Sequence, residues 1–314
     1  LKEKTVRNDV QPYIKDLQNH ISSAIETIDG HGQFVHDDWT HRSGGGGQAR
    51  VMQDGGVFEK GGVNFSAVTG VMPQKLAARM GLEGAPTFFA TGVSVVLHPR
   101  NPFVPTTHCN FRYFECHDAN GQAVDAWFGG GADLTPYYPY LEDAEHFHRA
   151  LRSACDPFGY DLYQKYKAQC DAYFFLPHRD ETRGVGGIFF DNLRADSSAG
   201  LERHFAFLRS TGDAFLDAYL PIVERRRHEP YGEREKTFQE VRRGRYAEFN
   251  LVHDRGTAFG LETGGRTESI LMSLPPVVRW VYNFIPELGS READLQDFLR
   301  PRDWLGIGDP QPNP

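Results

Sequence analysis

Residues 88–115, FFATGVSVVLHPRNPFVPTTHCNFRYFE, constrain the fold more than any other stretch of the chain. They read as two extended runs on either side of a proline-broken loop. Val93, Val95 and Leu97 alternate with Ser94, Val96 and His98, the period of a strand. Beyond the loop, His108, Asn110 and Arg112 share one parity and Cys109, Phe111 and Tyr113 the other. If the runs pair as an antiparallel hairpin centred on Phe103, His98 falls opposite His108 and Ser94 opposite Arg112. Residues directly opposite project from one face. Two imidazoles, a hydroxyl and a guanidinium then stand on one wall. A one-residue slip would break this grouping. The alternative is an ordinary strand pair with a polar solvent face; four such groups on one parity favour a site.

The rest of the chain supplies strands and helices around that hairpin. Residues 10–29 carry Ile14, Leu17, Ile21, Ile25 and Ile28 at helical spacing and stop at Asp29-Gly30. The glycine-rich residues 37–62 match neither a phosphate cradle nor a dinucleotide fingerprint. They predict tight turns between short strands at 49–52 and 63–68. A short helix is expected over 73–80 and a hairpin turn at 118–121. A strand ending at Trp127-Phe128 is then followed by a loop over 129–136. Helices are expected over 141–155, 158–175, 201–227 and 231–243. Strands are expected over 188–193, 245–253, 257–262 and 269–274. Strand runs, helical runs and strand runs again, with no linker, predict one α+β domain with an antiparallel sheet.

The chain has 314 residues and a net charge of −8, which disfavours a broad nucleic-acid or anionic-membrane surface. No apolar run approaches the ~20 residues of a spanning helix. Four scattered cysteines, none in C-x-x-C, read as reduced thiols. Arg112, Arg183 and Arg266 sit among glycines and aromatics, and Gly264-Gly265-Arg266 suits a carboxylate. Asp191 lies inside IFFDNL, where a carboxylate is costly unless paired or functional. No H-E-x-x-H occurs, so histidine spacing by itself does not specify a metal site, and proton transfer is as natural a use.

Long motifs then carry a resemblance. GVNFSAVTG from Gly62, TGVSVVLHPRNPFVPTTHCNFRYFE from Thr91 and WFGGGADLTPYY from Trp127 stand in order. HRDETRGVGGIFFDNL from His178, GRYAEFNLVHDRGTAFGLETGGRTESILMSLPP from Gly244 and VRW from Val278 follow. Over nearly its whole length the chain resembles the oxygen-dependent coproporphyrinogen III oxidases of haem biosynthesis. The resemblance implies a single domain over 1–314, with an N-terminal helix within 1–30 and a flat antiparallel sheet covered by helices on both faces. It also implies a homodimer formed through 246–281.

The activity implied is oxidative decarboxylation of the ring A and B propionates of coproporphyrinogen III to vinyl groups. Protoporphyrinogen IX is the product, O₂ the co-substrate, and no organic cofactor is used. His108 would be the proton donor. Ser94, Asn110, Phe111, Arg112, Arg183, Gly264, Gly265 and Arg266 would contact substrate. His98, His108, His148 and His178 would hold a divalent cation, or serve protonation alone. Asp191 is expected to take or hold pyrrole N–H protons. The expected compartment is the cytoplasm, with a mitochondrial form trimmed of its presequence as the alternative. Two rival classes are a non-catalytic tetrapyrrole or haem carrier and a metal-dependent hydrolase.

Overall fold

The computed structural model describes residues 6–72, 77–78, 83–262 and 265–306. The first helix, α1 (Arg7–Asp29), buries Val10, Ile14, Leu17, Ile21, Ile25 and Ile28 along one stripe. Gly30 ends it in the left-handed region, with its N–H on the Glu26 carbonyl. Asp29 then ties this end to the sheet. Its carboxylate accepts backbone N–H bonds from Gly32, Gly56, Val57 and Phe58 at 2.6–2.9 Å.

Six strands follow in a meander: β1 (Val35–Thr40), β2 (Gly45–Gln53), β3 (Phe58–Val71), β4 (Thr87–Pro99), β5 (Thr106–His117) and β6 (Ala123–Thr135). Helices α2 (Leu141–Cys155) and α3 (Leu162–Tyr173) lead to a small hairpin, β7 (Phe175–Leu176) with β8 (Glu181–Thr182). Strand β9 (Gly186–Arg194) then pairs with β6. The result is a seven-stranded, wholly antiparallel sheet in the order β1-β2-β3-β4-β5-β6-β9. The long helix α4 (Ser198–Arg226) starts at Ser197, whose hydroxyl accepts from the Gly200 N–H. Helix α5 (Glu233–Glu248) runs into a π-turn at Phe249–His253. It is followed by α6 (Arg255–Glu262), α7 (Thr267–Leu271) and α8 (Arg291–Phe298).

Strand alternation gives the sheet two unlike faces. Val63, Phe65, Val93, Val95, Leu97, Cys109, Phe111, Tyr113, Phe128, Ala132, Ile188 and Phe190 point to one, where α1, α2 and α4 cover them in a single core. The other face is polar and is covered at one end by α5 to α7. One α+β domain with helices on both faces is therefore observed. Among the described residues no helix is long and apolar enough to cross a membrane.

Several expected elements differ. The loop expected over 129–136 is strand, because β6 continues to Thr135. The glycines that suggested a loop lie against neighbouring strands, where a Cβ on Gly131 would meet the Ile188 carbonyl oxygen at 2.3 Å. Gly45, Gly46 and Gly47 likewise lie within β2. The strands expected at 245–253, 257–262 and 269–274 are the end of α5 with its π-turn, α6 and α7. Asp254 caps α6 by accepting from the Thr257 N–H and hydroxyl at 2.7 and 2.9 Å. The helix expected over 158–175 is shorter, a 3-10 turn at Asp156–Phe158 preceding α3. The helix expected over 73–80 lies mostly outside the described residues.

Candidate functional site

The hairpin register differs from the one expected. Ser94 pairs with Asn110, Val96 with His108 and Gly92 with Arg112, so the pairs centre on Pro102 and not Phe103. Asn101 sets this turn. Its Oδ1 accepts from Phe103 N, and its amide donates to the carbonyls of Arg226, Arg227 and Glu229. A shift of two positions in pairing preserves parity, so the expected wall survives with different partners.

Extended across the sheet, the register arranges the polar face in rows. One row runs Asp37, Ala49, Asn64, Ser94, Asn110, Gly131 and Phe189. A second runs Ser66, Gly92, Arg112 and Gly129, and a third Gly62, Val96, His108, Asp133 and Gly187. From Asn64 to Gly131 is three strand spacings, roughly 14 Å, and successive rows are about 7 Å apart. Glycines keep the floor low. A Cβ on Gly129 would stand 2.8 Å from Asp191 Oδ1 and 2.9 Å from Arg112 Nε.

At the covered end, His108 Nδ1 lies 2.8 Å from Asp133 Oδ1. Asp133 is also 2.8 Å, through each oxygen, from Nη2 of Arg183. Burial opposes ionisation of Asp133, but the Arg183 guanidinium and the His108 bond hold its carboxyl below the ordinary range. Arg183 is 3% exposed and lies 4.0 Å from the ring of Phe174, 4.5 Å from Tyr246 and 4.9 Å from Phe249. Its Nη1 donates to Asn250 Oδ1 at 2.9 Å. The charge expected to grip substrate is thus committed to Asp133. The His108 ring stays 23% exposed. With Nδ1–H donated to Asp133, its Nε2 is the nitrogen left for a ligand.

At the open end, Arg112 Nη2 pairs with Asp191 Oδ1 at 2.9 Å and its Nη1 donates to Asn110 Oδ1 at 2.8 Å. Arg112 and Asp191 are 31% and 22% exposed, so both are reachable. Arg255 lies 3.9 Å from the other Asp191 oxygen. Phe111 was expected to contact substrate, but its side chain is fully buried on the opposite, core face. Arg266 pairs with Asp37 on β1, and its Nη1 is buried without a hydrogen-bond partner among the described residues. Gly265 donates its N–H to the Gly260 carbonyl at 2.8 Å. Gly264 lies outside the described residues.

The four histidines do not converge. His98 is buried, with Nε2 2.9 Å from the Ser273 carbonyl oxygen and Nδ1 3.3 Å from the Thr106 hydroxyl. Burial, and next the Arg243 charge, push its pKa well below the usual value. His148 belongs to the helix-covered side. It is bonded to the Val185 carbonyl and the Tyr163 hydroxyl, and burial lowers it to about 3. His178 is at the surface with Glu248 and His253. Among the described residues no three His, Cys, Asp or Glu groups are placed to hold a metal ion. As one ligand set within this chain the four positions do not fit.

Asp133 was missed by sequence reasoning because ADLTP was assigned to a loop. Its signal is the β5–β6 register, which sets it directly opposite His108. The face therefore combines an oriented imidazole, a reachable arginine–carboxylate pair and a glycine-smoothed floor wide enough for a large ligand. The family model for coproporphyrinogen III oxidase matches residues 9–304 of the chain.

Proposed function

The chain belongs to the coproporphyrinogen III oxidase family, an enzyme family of haem biosynthesis, and from that premise we propose that it is the oxygen-dependent form. In this reading it converts the ring A and B propionates of coproporphyrinogen III to vinyl groups. The observation that carries the reading is the His108–Asp133–Arg183 chain beside the Arg112–Asp191 pair on one floor.

The balance of the reaction explains why a proton donor is needed. Converting a propionate to a vinyl group releases CO₂, one proton and two electrons. Reducing O₂ to hydrogen peroxide takes those two electrons and two protons. Each decarboxylation therefore takes up one proton from the surroundings. His108 is the group on the floor suited to deliver it, and Asp133 fixes the imidazole and balances its charge. Arg112 meets a carboxylate of the substrate through charge-assisted hydrogen bonds. Asp191, paired with Arg112, takes a pyrrole N–H proton and makes the ring electron-rich enough to react with O₂ without a flavin or haem. Because the four histidines do not converge as one ligand set, no step is routed through a metal here.

We place a homodimer face within 246–281. The exposure of Leu251, Val252, Leu261, Val277, Trp280 and Val281 supports it.

Coproporphyrinogen III supplied under air should yield protoporphyrin fluorescence after oxidation of the product. Under nitrogen it should yield none. No product under air would leave a tetrapyrrole carrier as the reading. Full turnover with a chelator present would rule out an essential accessible metal.

A further inference from the structure

Arg266, at the N-terminal edge of α7, reaches Asp37 on β1. Just past its other end, Met272 lies over Gly62 on β3, with its Sδ 3.0 Å from where a Cβ would be. Helix α7 therefore spans the β1–β3 part of the floor, and Asn64 belongs to the row that runs from Asp37 across to Ser94.

Three polar atoms in this region are buried without a hydrogen-bond partner among the described residues: Asn64 Oδ1, Arg266 Nη1 and Ser269 Oγ. Asparagine is disfavoured inside strands, and a buried amide oxygen that accepts no hydrogen bond weakens the free protein. Such groups collect where a ligand completes them. Arg266 Nη1 and Ser269 Oγ are donors; the Asn64 atom is an amide oxygen, an acceptor, and a half-turn of the terminal torsion exchanges it for the N–H₂ of the same amide. That is a donor set for a carboxylate. Asp37 occupies only Nη2 of Arg266, so an incoming carboxylate need not displace it.

We propose that Asn64 and Ser269 complete, with Arg266, a second carboxylate subsite at the end of the floor remote from Arg112. This rests on the coproporphyrinogen reading, in which the ligand carries four propionates. Asn64 and Arg112 are two strands and one row apart, roughly 12 Å by strand spacing. Two grips at that separation hold opposite edges of one macrocycle. His108, on the strand of Arg112 and one row beyond Asn64, stands at a third corner, roughly 12 Å from Asn64 and about 14 Å from Arg112 by strand spacing. A ligand with carboxylates on one edge only would engage one grip.

The test is binding of coproporphyrinogen III without oxygen, read by quenching of protein fluorescence, together with KM under air. Asn64→Leu should weaken binding about tenfold, the scale of one lost hydrogen bond to a charged group. Asn64→Asp should be weaker still, because it sets a carboxylate against a carboxylate. Ser269→Ala should weaken binding a few-fold. Melting temperature separates a ligand contact from a structural one: Asn64→Leu removes an unpartnered amide and should melt at or above the wild type. Unchanged affinity in Asn64→Leu, or Asn64→Asp binding as well as Asn64→Leu, would overturn the subsite. So would a melting temperature that falls in step with affinity. Failure of the wild type itself to bind or convert coproporphyrinogen would defeat the functional reading instead.

Discussion

Replacing Asp133 by Asn keeps the shape of the side chain and removes one charge. Arg183 would then be buried without an anion, and breaking such a pair costs roughly 3–5 kcal/mol. His108 would lose the carboxylate that sets its tautomer. Turnover should fall by about 10²–10⁴, the usual contribution of a positioned acid or base. A second change, Arg183→Met, should recover much of the stability and none of the turnover, because the surrounding Phe174, Tyr246 and Phe249 rings accept an apolar side chain. Melting curves and turnover measured on both variants check this, and turnover returning with stability would reduce Asp133 to a structural role. Asp191→Asn should keep substrate affinity within a few-fold and lose turnover, and turnover equal to the wild type would remove Asp191 from the chemistry. The sequence showed the wall through parity alone. A period of two survives the wrong hairpin centre because the error was itself two positions. Parity does not report depth or partners, so the enclosure of Arg183 could not be read, but it did set Phe111 on the face opposite His108, Asn110 and Arg112, against the substrate contact that the resemblance implied.

At the scale of elements, the strands and the apolar helices were legible and the end of α5 was not. Helix α5 buries Phe238, Val241 and Tyr246, but also Arg242 and Arg243. Those two arginines pair with Glu181 and Glu59, contacts between residues distant in the chain. A buried face made partly of paired charges does not look apolar, and the remaining residues over 245–253 alternate by chance. Glu248, the last residue of α5, fastens this end. It accepts from Arg179, Arg245 and Trp280 and bonds to His178. Burial opposes its charge, but Arg179 first, then His178 and Arg245, bring its pKa down to about 2. A depressed carboxyl stabilises the fold fully above its unfolded value of about 4.3 and loses that effect as pH falls toward 2. Glu248→Gln should therefore melt about 2–4 °C below the wild type at pH 7, and the gap should shrink as pH drops from 4.5 to 2.5. A gap that is constant with pH would show that the charge of Glu248 does not fasten the helix.

For the whole molecule, the unequal covering of the sheet bears on how copies assemble. One face is closed by α1, α2 and α4 over a continuous core. On the other side the C-terminal third exposes large apolar side chains: Leu251, Val252, Leu261, Trp280, Tyr282, Ile285 and Leu288, with Tyr282 99% and Leu288 96% exposed. Single exposed apolar residues are ordinary, but a run of them over 277–288 beside Leu251 and Val252 resembles an interface. The proposed dimer segment 246–281 begins at Tyr246, which packs on His98 and beside Arg183, so pairing of two copies would brace the covered end of the floor. A specific interface removes on the order of 1,200–2,000 Å² from water and puts anchors such as tryptophan at its centre. Light scattering on the purified chain at micromolar concentration should give about twice its 35.5 kDa mass. Trp280→Asp together with Leu251→Asp should give the single-chain mass. Because Asn250, on the π-turn after α5, helps hold Arg183 against Asp133, that monomer should also lose turnover more than it loses substrate affinity. A wild type already at the single-chain mass would refute the homodimer. A charged variant that is monomeric and fully active would show that pairing does not support the site.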